Sequence, residues 1–169
     1  MKKIAIIGNA GGGKSALARK LSAKLEFPLY EIDQLQWSPG WTRTDLDEVA
    51  SVHTQWLAEP QWIIDGWGSW EILAQRFEIA DTIIMVDMPI AAHYWWALKR
   101  QVKASFHLDP HWPPPGCEAF PVTWRLLKLM WHIHKNIRPQ LIDWVSKHAA
   151  SKRVIFLRSF REVQGFLEE

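Results

Sequence analysis

Residues Gly8-Asn9-Ala10-Gly11-Gly12-Gly13-Lys14-Ser15 follow the spacing G-x-x-x-x-G-K-[ST], which demands a particular local fold. A buried strand must deliver the chain to a tight turn, and a helix must leave it. Both flanks comply. Lys2-Lys3-Ile4-Ala5-Ile6-Ile7 is a short apolar run ahead of the glycines, and behind them Leu17, Leu21 and Leu25 recur every four residues. A turn that only joined strand to helix would need neither Lys14 nor Ser15.

The chemistry of such a loop follows from its backbone. Glycines at 8, 11, 12 and 13 let the chain wrap with positive φ and aim successive N–H groups at one point. The amino end of the next helix, through Ala16, adds unsatisfied donors and a positive dipole end, which makes an anion site. Gly8, Asn9, Ala10, Gly11, Gly12, Gly13, Lys14, Ser15 and Ala16 are therefore expected to hold the phosphates of ATP. Lys14 would reach the terminal phosphates, and the Ser15 hydroxyl would ligate Mg²⁺.

Downstream, apolar runs at 28–32, 61–64, 82–86 and 153–157 alternate with helical patterns, predicting an α/β fold with a five-stranded parallel sheet covered on both faces. Ligands in such sheets bind beyond the carboxyl ends of the strands. Gly8, Asp33, Asp65 and Asp87 all fall at or just after predicted strand ends, so one edge would gather them. Between the runs, Ser38-Pro39-Gly40 marks a loop, and Thr44 reads as a helix N-cap with Asp47 in the capping-box position. A helix from Thr123 is expected to kink or break at Pro139, and Ser159 with Glu162 forms a capping box for a final helix. His107 to Pro121 holds five prolines and no apolar periodicity, so it reads as a loop.

At 169 residues the chain is read as one domain, 1–169. A net charge of +2 is too small by itself to imply a nucleic-acid coat or a membrane patch, and no zinc-finger spacing or basic stripe points to DNA. The apolar run after Met1 is too short for a secretory signal, and the segment Ile83 to Leu98 is interrupted by Asp87, Pro89 and His93, so no membrane span is expected. The lone cysteine, Cys117, excludes an intrachain disulfide and fits a reducing, cytoplasmic setting. With no paired-cysteine spacing, the histidines at 107, 111, 132 and 134 do not read as a zinc site. Twelve tryptophans are expected mostly in core and inter-lobe packing, with Trp37, Trp41, Trp67 and Trp70 set aside as walls of a pocket.

Several segments together extend the resemblance beyond the loop: Ile32-Asp33-Gln34-Leu35-Gln36-Trp37-Ser38-Pro39-Gly40-Trp41, Trp62-Ile63-Ile64-Asp65-Gly66, Ala80-Asp81-Thr82-Ile83-Ile84 with Asp87 and Pro89, Leu98-Lys99-Arg100, Gly116-Cys117-Glu118 and Arg138-Pro139. With these the chain resembles the adenylate-kinase-like P-loop proteins known as DNA topology modulation or flagellar-regulation proteins. Similarity to nucleoside-monophosphate kinases implies a P-loop NTPase fold with sheet order 2-3-1-4-5. It also implies an acceptor-binding lobe at about 33–60 and a mobile lid at about 106–122. Two departures stand out. Asp65-Gly66-Trp67-Gly68 replaces the Asp-Gly-Asn-Tyr common among relatives, without the arginine that adenylate kinases carry shortly after that Asp-Gly. Ile90 and Trp96 stand where relatives tend to be basic.

The candidate residues follow. Asp65, beside the phosphate loop, is expected to hold Mg²⁺ through water opposite Ser15, with a plain Asp-Gly turn as the alternative. Asp33 could accept a proton from an acceptor hydroxyl or orient it, or merely cap a helix. Trp37, Trp41 and Trp67 would wall the acceptor pocket. The family match adds Arg100 and Arg138 as cations around the transferred phosphoryl group. The sequence thus points to an ATP- and Mg²⁺-dependent phosphotransferase acting on a nucleotide, a nucleoside or another small hydroxyl compound. A nucleotide-binding regulatory or interaction protein is the alternative, and nothing in the sequence specifies an oligomeric state.

Overall fold

The structure, a computed structural model, describes residues 1–106, 113–118 and 123–168. The chain runs β1 (Lys3–Gly8), α1 (Lys14–Leu25), β2 (Leu29–Glu31), α2 (Ile32–Gln36), β3 (Trp37–Ser38), β4 (Thr42–Arg43), α3 (Leu46–Ala58), β5 (Trp62–Asp65), α4 (Trp70–Ile79), β6 (Thr82–Val86), α5 (Ile90–Ser105), α6 (Thr123–His132), α7 (Arg138–Lys147), β7 (Arg153–Leu157) and α8 (Phe160–Glu168). The main sheet has the order β2-β5-β1-β6-β7. All its pairings are parallel. Leaving out the two short strands β3 and β4, which pair only with each other, this is the expected order 2-3-1-4-5.

Period-two alternation along the buried strands divides the core into two layers. Ala5, Ile7, Ile64, Ile83 and Met85 face α3, α4 and α7 through Val49, Leu57, Leu73, Phe77, Leu141 and Val145. Ile4, Ile6, Ile63, Ile84 and Val86 face α1 and α8 through Leu17, Leu21 and Phe166. Aliphatic residues fill most of this space, and Trp56, Trp67 and Trp144 pack half-buried against it, so the tryptophans lie mainly at the margin of the core rather than inside it. Among the described residues only Trp62 is fully buried, while Trp70, Trp95, Trp124 and Trp131 are exposed.

Local departures have identifiable causes. The second strand stops at Glu31, and Ile32 to Gln36 turn helical, so Asp33 sits in the first turn of α2 rather than directly at a strand end. The cap of α3 is Asp45, whose Oδ1 accepts from the backbone N–H groups of Asp47 and Glu48, because the Thr44 hydroxyl is engaged with Ser38 Oγ at 3.2 Å. Ser38-Pro39-Gly40 does turn the chain, but within a small hairpin of β3 and β4. The break at Pro139 is a π turn over Ile133–Ile137, in which the Arg138 N–H reaches back five residues to Ile133 O. At α8, Ser159 Oγ accepts from the Glu162 N–H at 3.2 Å, and Glu162 returns to the Arg158 N–H at 2.8 Å.

His53 of α3 is buried, and neither ring nitrogen has a hydrogen-bond partner. Burial and the neighbouring Arg76 charge lower its pKa from 6.5 to about 4. The fold therefore holds neutral His53, and its stability contribution is complete above pH 6.5. As pH falls the unfolded chain takes the proton first, so stability declines until the folded state also protonates near pH 4. The loss across that window is on the order of 3 kcal/mol. Urea unfolding at about pH 7.5 and about pH 4.5 should accordingly show a smaller stability difference in His53→Leu than in the parent. An unchanged difference would remove His53 from the account.

Candidate active site

The site begins where β1 hands the chain to α1. Gly11 and Gly13 take φ of 71° and 81°. Gly13 caps α1 without a side-chain hydrogen bond, and no acidic residue stands in the first turn. No side chain of the helix's own first turn therefore supplies negative charge to its N–H groups. Gly12 differs from the sequence expectation because its φ is not positive; it is glycine for room. A Cβ there would lie 2.5 Å from His93 Cε1.

His93, on the first turns of α5, braces this loop. Its Nδ1 lies 2.9 Å from Ala10 O. A carbonyl can only accept, so Nδ1 carries a proton and donates it there, while burial draws the pKa of the ring down. Asn9 provides a second brace, accepting from the Ala10 N–H at 2.8 Å and donating from Nδ2 to Met130 O of α6 at 2.9 Å. Neither brace was legible in the sequence, since both depend on helices that arrive from far along the chain.

Lys14 is buried, and its Nζ donates to Asn9 O at 2.9 Å. Ser15 Oγ donates to Asp65 Oδ2 at 2.6 Å. The parallel register of β1 and β5 sets Ile6 beside Asp65, which carries that carboxylate to the loop. Asp65 Oδ1 is buried without a hydrogen bond, and burial pushes the Asp65 pKa up against the pull of the Lys14 charge and the Ser15 hydroxyl. A buried carboxylate left half-satisfied beside a hydroxyl is a donor set that suits a small hard cation. Among the described residues no group of three or more His, Cys, Asp and Glu forms a separate metal cage.

The turn after Asp65 brings in Asp33. Gly66 has φ 111°, and a Cβ there would come within 3.3 Å of Asp33 Oδ1. The turn is held from below by Arg76 of α4, whose guanidinium donates to Gly66 O at 2.7 Å and Trp67 O at 3.1 Å. Burial draws the Arg76 pKa down to about 10, so it stays charged at neutral pH. Arg76 was missed in the sequence reading, although Ile72, Leu73, Arg76 and Phe77 share the buried stripe of α4.

The three expected pocket tryptophans divide between two places. Trp37 and Trp41 meet edge to face at 5.5 Å in the β3–β4 hairpin, where Arg43 lies over the Trp37 ring. Trp67 packs edge to face on Trp70 at 4.9 Å, and Trp70 leans on Trp144. Arg138 is clamped to the buried Asp87 through two bonds of 2.5 and 2.8 Å, which raises its pKa. It is therefore held at the edge of the sheet. Arg100 is half-buried in the later turns of α5. Most of the expected lid lies outside the described residues. The part at 113–118 rests on the hairpin: Gly40 N–H donates to Gly116 O at 2.9 Å, and Trp41 Nε1 to Glu118 O at 2.8 Å.

A recess adjoins the loop. A cavity of about 270 Å³ is lined by residues including Gly11, Gly12, Pro89, Trp96, Arg158 and Phe160. The Trp96 and Phe160 rings meet edge to face at 5.9 Å. No family model and no curated protein matches the sequence. Solved structures do match. A gluconokinase from Sinorhizobium meliloti superposes with a TM-score of 0.54 at 15% identity, over 99% of this chain and 91% of that one. A shikimate kinase from Acinetobacter baumannii, in complex with shikimate, superposes with a TM-score of 0.57 at 10% identity, over 99% of this chain and 89% of that one. The chain shares its fold with these two kinases. In this fold Gly8, Asp33, Asp65 and Asp87, each at or just after the end of a strand, lie along one edge of the sheet.

Proposed function

We propose that this chain is an ATP-dependent kinase of a small hydroxyl-bearing acceptor. The observation that carries the reading is the cluster of Lys14, Ser15 and Asp65 at an uncapped helix start, with Asp33 beside it on the β2–β5 side. The fold likeness to a gluconokinase and a shikimate kinase, both by name kinases of small molecules, supports it. The finer resemblance to topology modulation proteins rests on the sequence segments alone.

In this reading the open N–H groups of the loop bind the donor phosphates, and Lys14 moves from Asn9 O to the terminal ones. Ser15 and Asp65 would hold Mg²⁺, which supplies charge neutralisation where negative charge gathers on the phosphoryl group. Asp33 takes the proton of the attacking hydroxyl. Trp37 and Trp41 border the acceptor from a lobe at about 33–60 and Trp67 from beyond it, Arg100 and Arg138 add positive charge, and the lid at about 106–122 excludes water within the single domain 1–169. The absent arginine after Asp65-Gly66 favours a nucleoside or another hydroxyl compound over a monophosphate.

The base of the donor fits the recess at Trp96 and Phe160. One aromatic contact to a base is worth about 1–3 kcal/mol, so Trp96→Ala should raise the KM for ATP by roughly tenfold with a smaller change in kcat. A loss confined to kcat would move the base elsewhere. The reading as a whole is tested by measuring ADP release across nucleoside monophosphates, nucleosides and small hydroxy acids. Acceptor-dependent release identifies the substrate class. ATP binding without release from any acceptor would favour the regulatory alternative.

A further inference from the structure

We propose that the outer face of the α5–α6 pair is a docking surface for an anionic lipid bilayer. On α5 and its C-cap residue, Trp95, Leu98, Val102 and Phe106 follow the helical repeat and are 66%, 46%, 60% and 69% exposed. The opposite stripe, His93, Ala97, Gln101 and Ala104, is buried. On α6, Trp124 and Trp131 are 68% and 52% exposed. The two helices run antiparallel, since Tyr94 OH donates to Leu127 O at 3.4 Å and Gln101 Nε2 to Thr123 Oγ1 at 3.0 Å.

Helical periodicity sets the residues of these contacts about 100° from the exposed stripe on α5, and nearly as far, in the same rotational sense, on α6. For antiparallel helices an equal sense of rotation puts both stripes on one side of the pair. The result is a broad face of exposed indoles and aliphatic side chains.

The charge on that face is one-sided. Helices α5 and α6 contain Lys99, Arg100, Lys103, Arg125 and Lys128 and no Asp or Glu. Lys99, Lys103, Arg125 and Lys128 are exposed, and Lys128 Nζ lies over the Trp124 ring at 5.5 Å. The net charge of +2 conceals this cluster because the acids lie on other elements. A second copy meeting the face about a twofold axis would oppose like charges. Single-stranded nucleic acid would stack on the indoles but leave Leu98 and Val102 in water. A bilayer with anionic headgroups meets both features: cations pair with headgroups while indoles and aliphatic groups enter the interface. No helix among the described residues is long and apolar enough to cross a membrane, so the pair would lie on the surface.

The test is co-sedimentation of the full chain with phosphatidylcholine vesicles, with and without phosphatidylserine. Binding should require phosphatidylserine, weaken as salt is raised, and fall about tenfold or more in Lys99→Glu/Lys128→Glu. Trp95→Ser/Phe106→Ser should lose binding as well, while both variants keep the parent's melting temperature and its ATP affinity. These readouts do not depend on the kinase assignment. The proposal is overturned by equal binding to both vesicle types, by no binding to either, or by full binding in both variants. It is equally overturned if the same substitutions abolish instead a tight oligonucleotide complex or a dimer seen by sedimentation equilibrium.

Discussion

Lys14→Ala is expected to lower nucleotide-dependent turnover on the order of 10²-fold or more, the scale seen when a preorganised charge-stabilising donor is removed. The structure gives a reason for so large an effect at one side chain. Lys14 is buried, its ammonium rests on a carbonyl of its own loop, and its charge lies close enough to influence Asp65. Its withdrawal leaves the backbone donors able to bind phosphate but takes away the positive charge that would follow the transferred group. ATP affinity should fall less than turnover, because the N–H groups at the start of α1 remain. Melting should change little, since the lost bond to Asn9 O is a single contact. Stopped-flow ADP release with equilibrium ATP titration would decide the matter. A variant that turns over as fast as the parent would exclude the loop as the donor site.

The second large effect is expected at Asp33. Asp33→Asn keeps the shape and the helical turn but removes the base, so acceptor-dependent turnover should drop by about 10²–10⁴, the range of general base catalysis. ATP binding should persist, because Asp33 follows β2, which β5 separates from the strand that feeds the phosphate loop. The measurement is a pair of titrations on one preparation, ATP affinity by calorimetry and turnover with the best acceptor. If ATP affinity collapses together with turnover, Asp33 belongs to the donor side. If AMP proves the preferred acceptor by a wide margin, the reading of the missing arginine after Gly66 is wrong.

The sheet was legible in the sequence because its signals are local. The three central strands β1, β5 and β6 are short Ile-rich runs that end at or just before Gly or Asp, and the alternation within them already contains both core layers. The phosphate loop was legible for the same reason. What surrounded it was not. His93 lies 83 residues from Ala10, and Met130 lies 121 residues from Asn9, so no spacing in the chain announces either contact. The cap of α3 was misplaced by one residue because Thr44 and Asp45 are both good caps, and the hydroxyl of Thr44 is claimed by Ser38. The tryptophans misled for a different reason. Their area suggests burial, yet five parallel strands flanked by short helices leave little volume that aliphatic residues do not fill.

The π turn at Ile133–Ile137 bears on how this sequence can change in length over evolution. It carries one more residue than an α-helical turn, and each residue turns a helix by about 100°. Removing one residue there would satisfy the backbone as a plain helix while rotating everything beyond it by that angle. Arg138 would swing away from Asp87, and Leu141 and Val145 would leave the core layer they now fill. Pro139 would also meet an ordinary helical turn, whose preceding carbonyl its ring would crowd. Relatives of this chain should therefore hardly vary in the number of residues across these five positions.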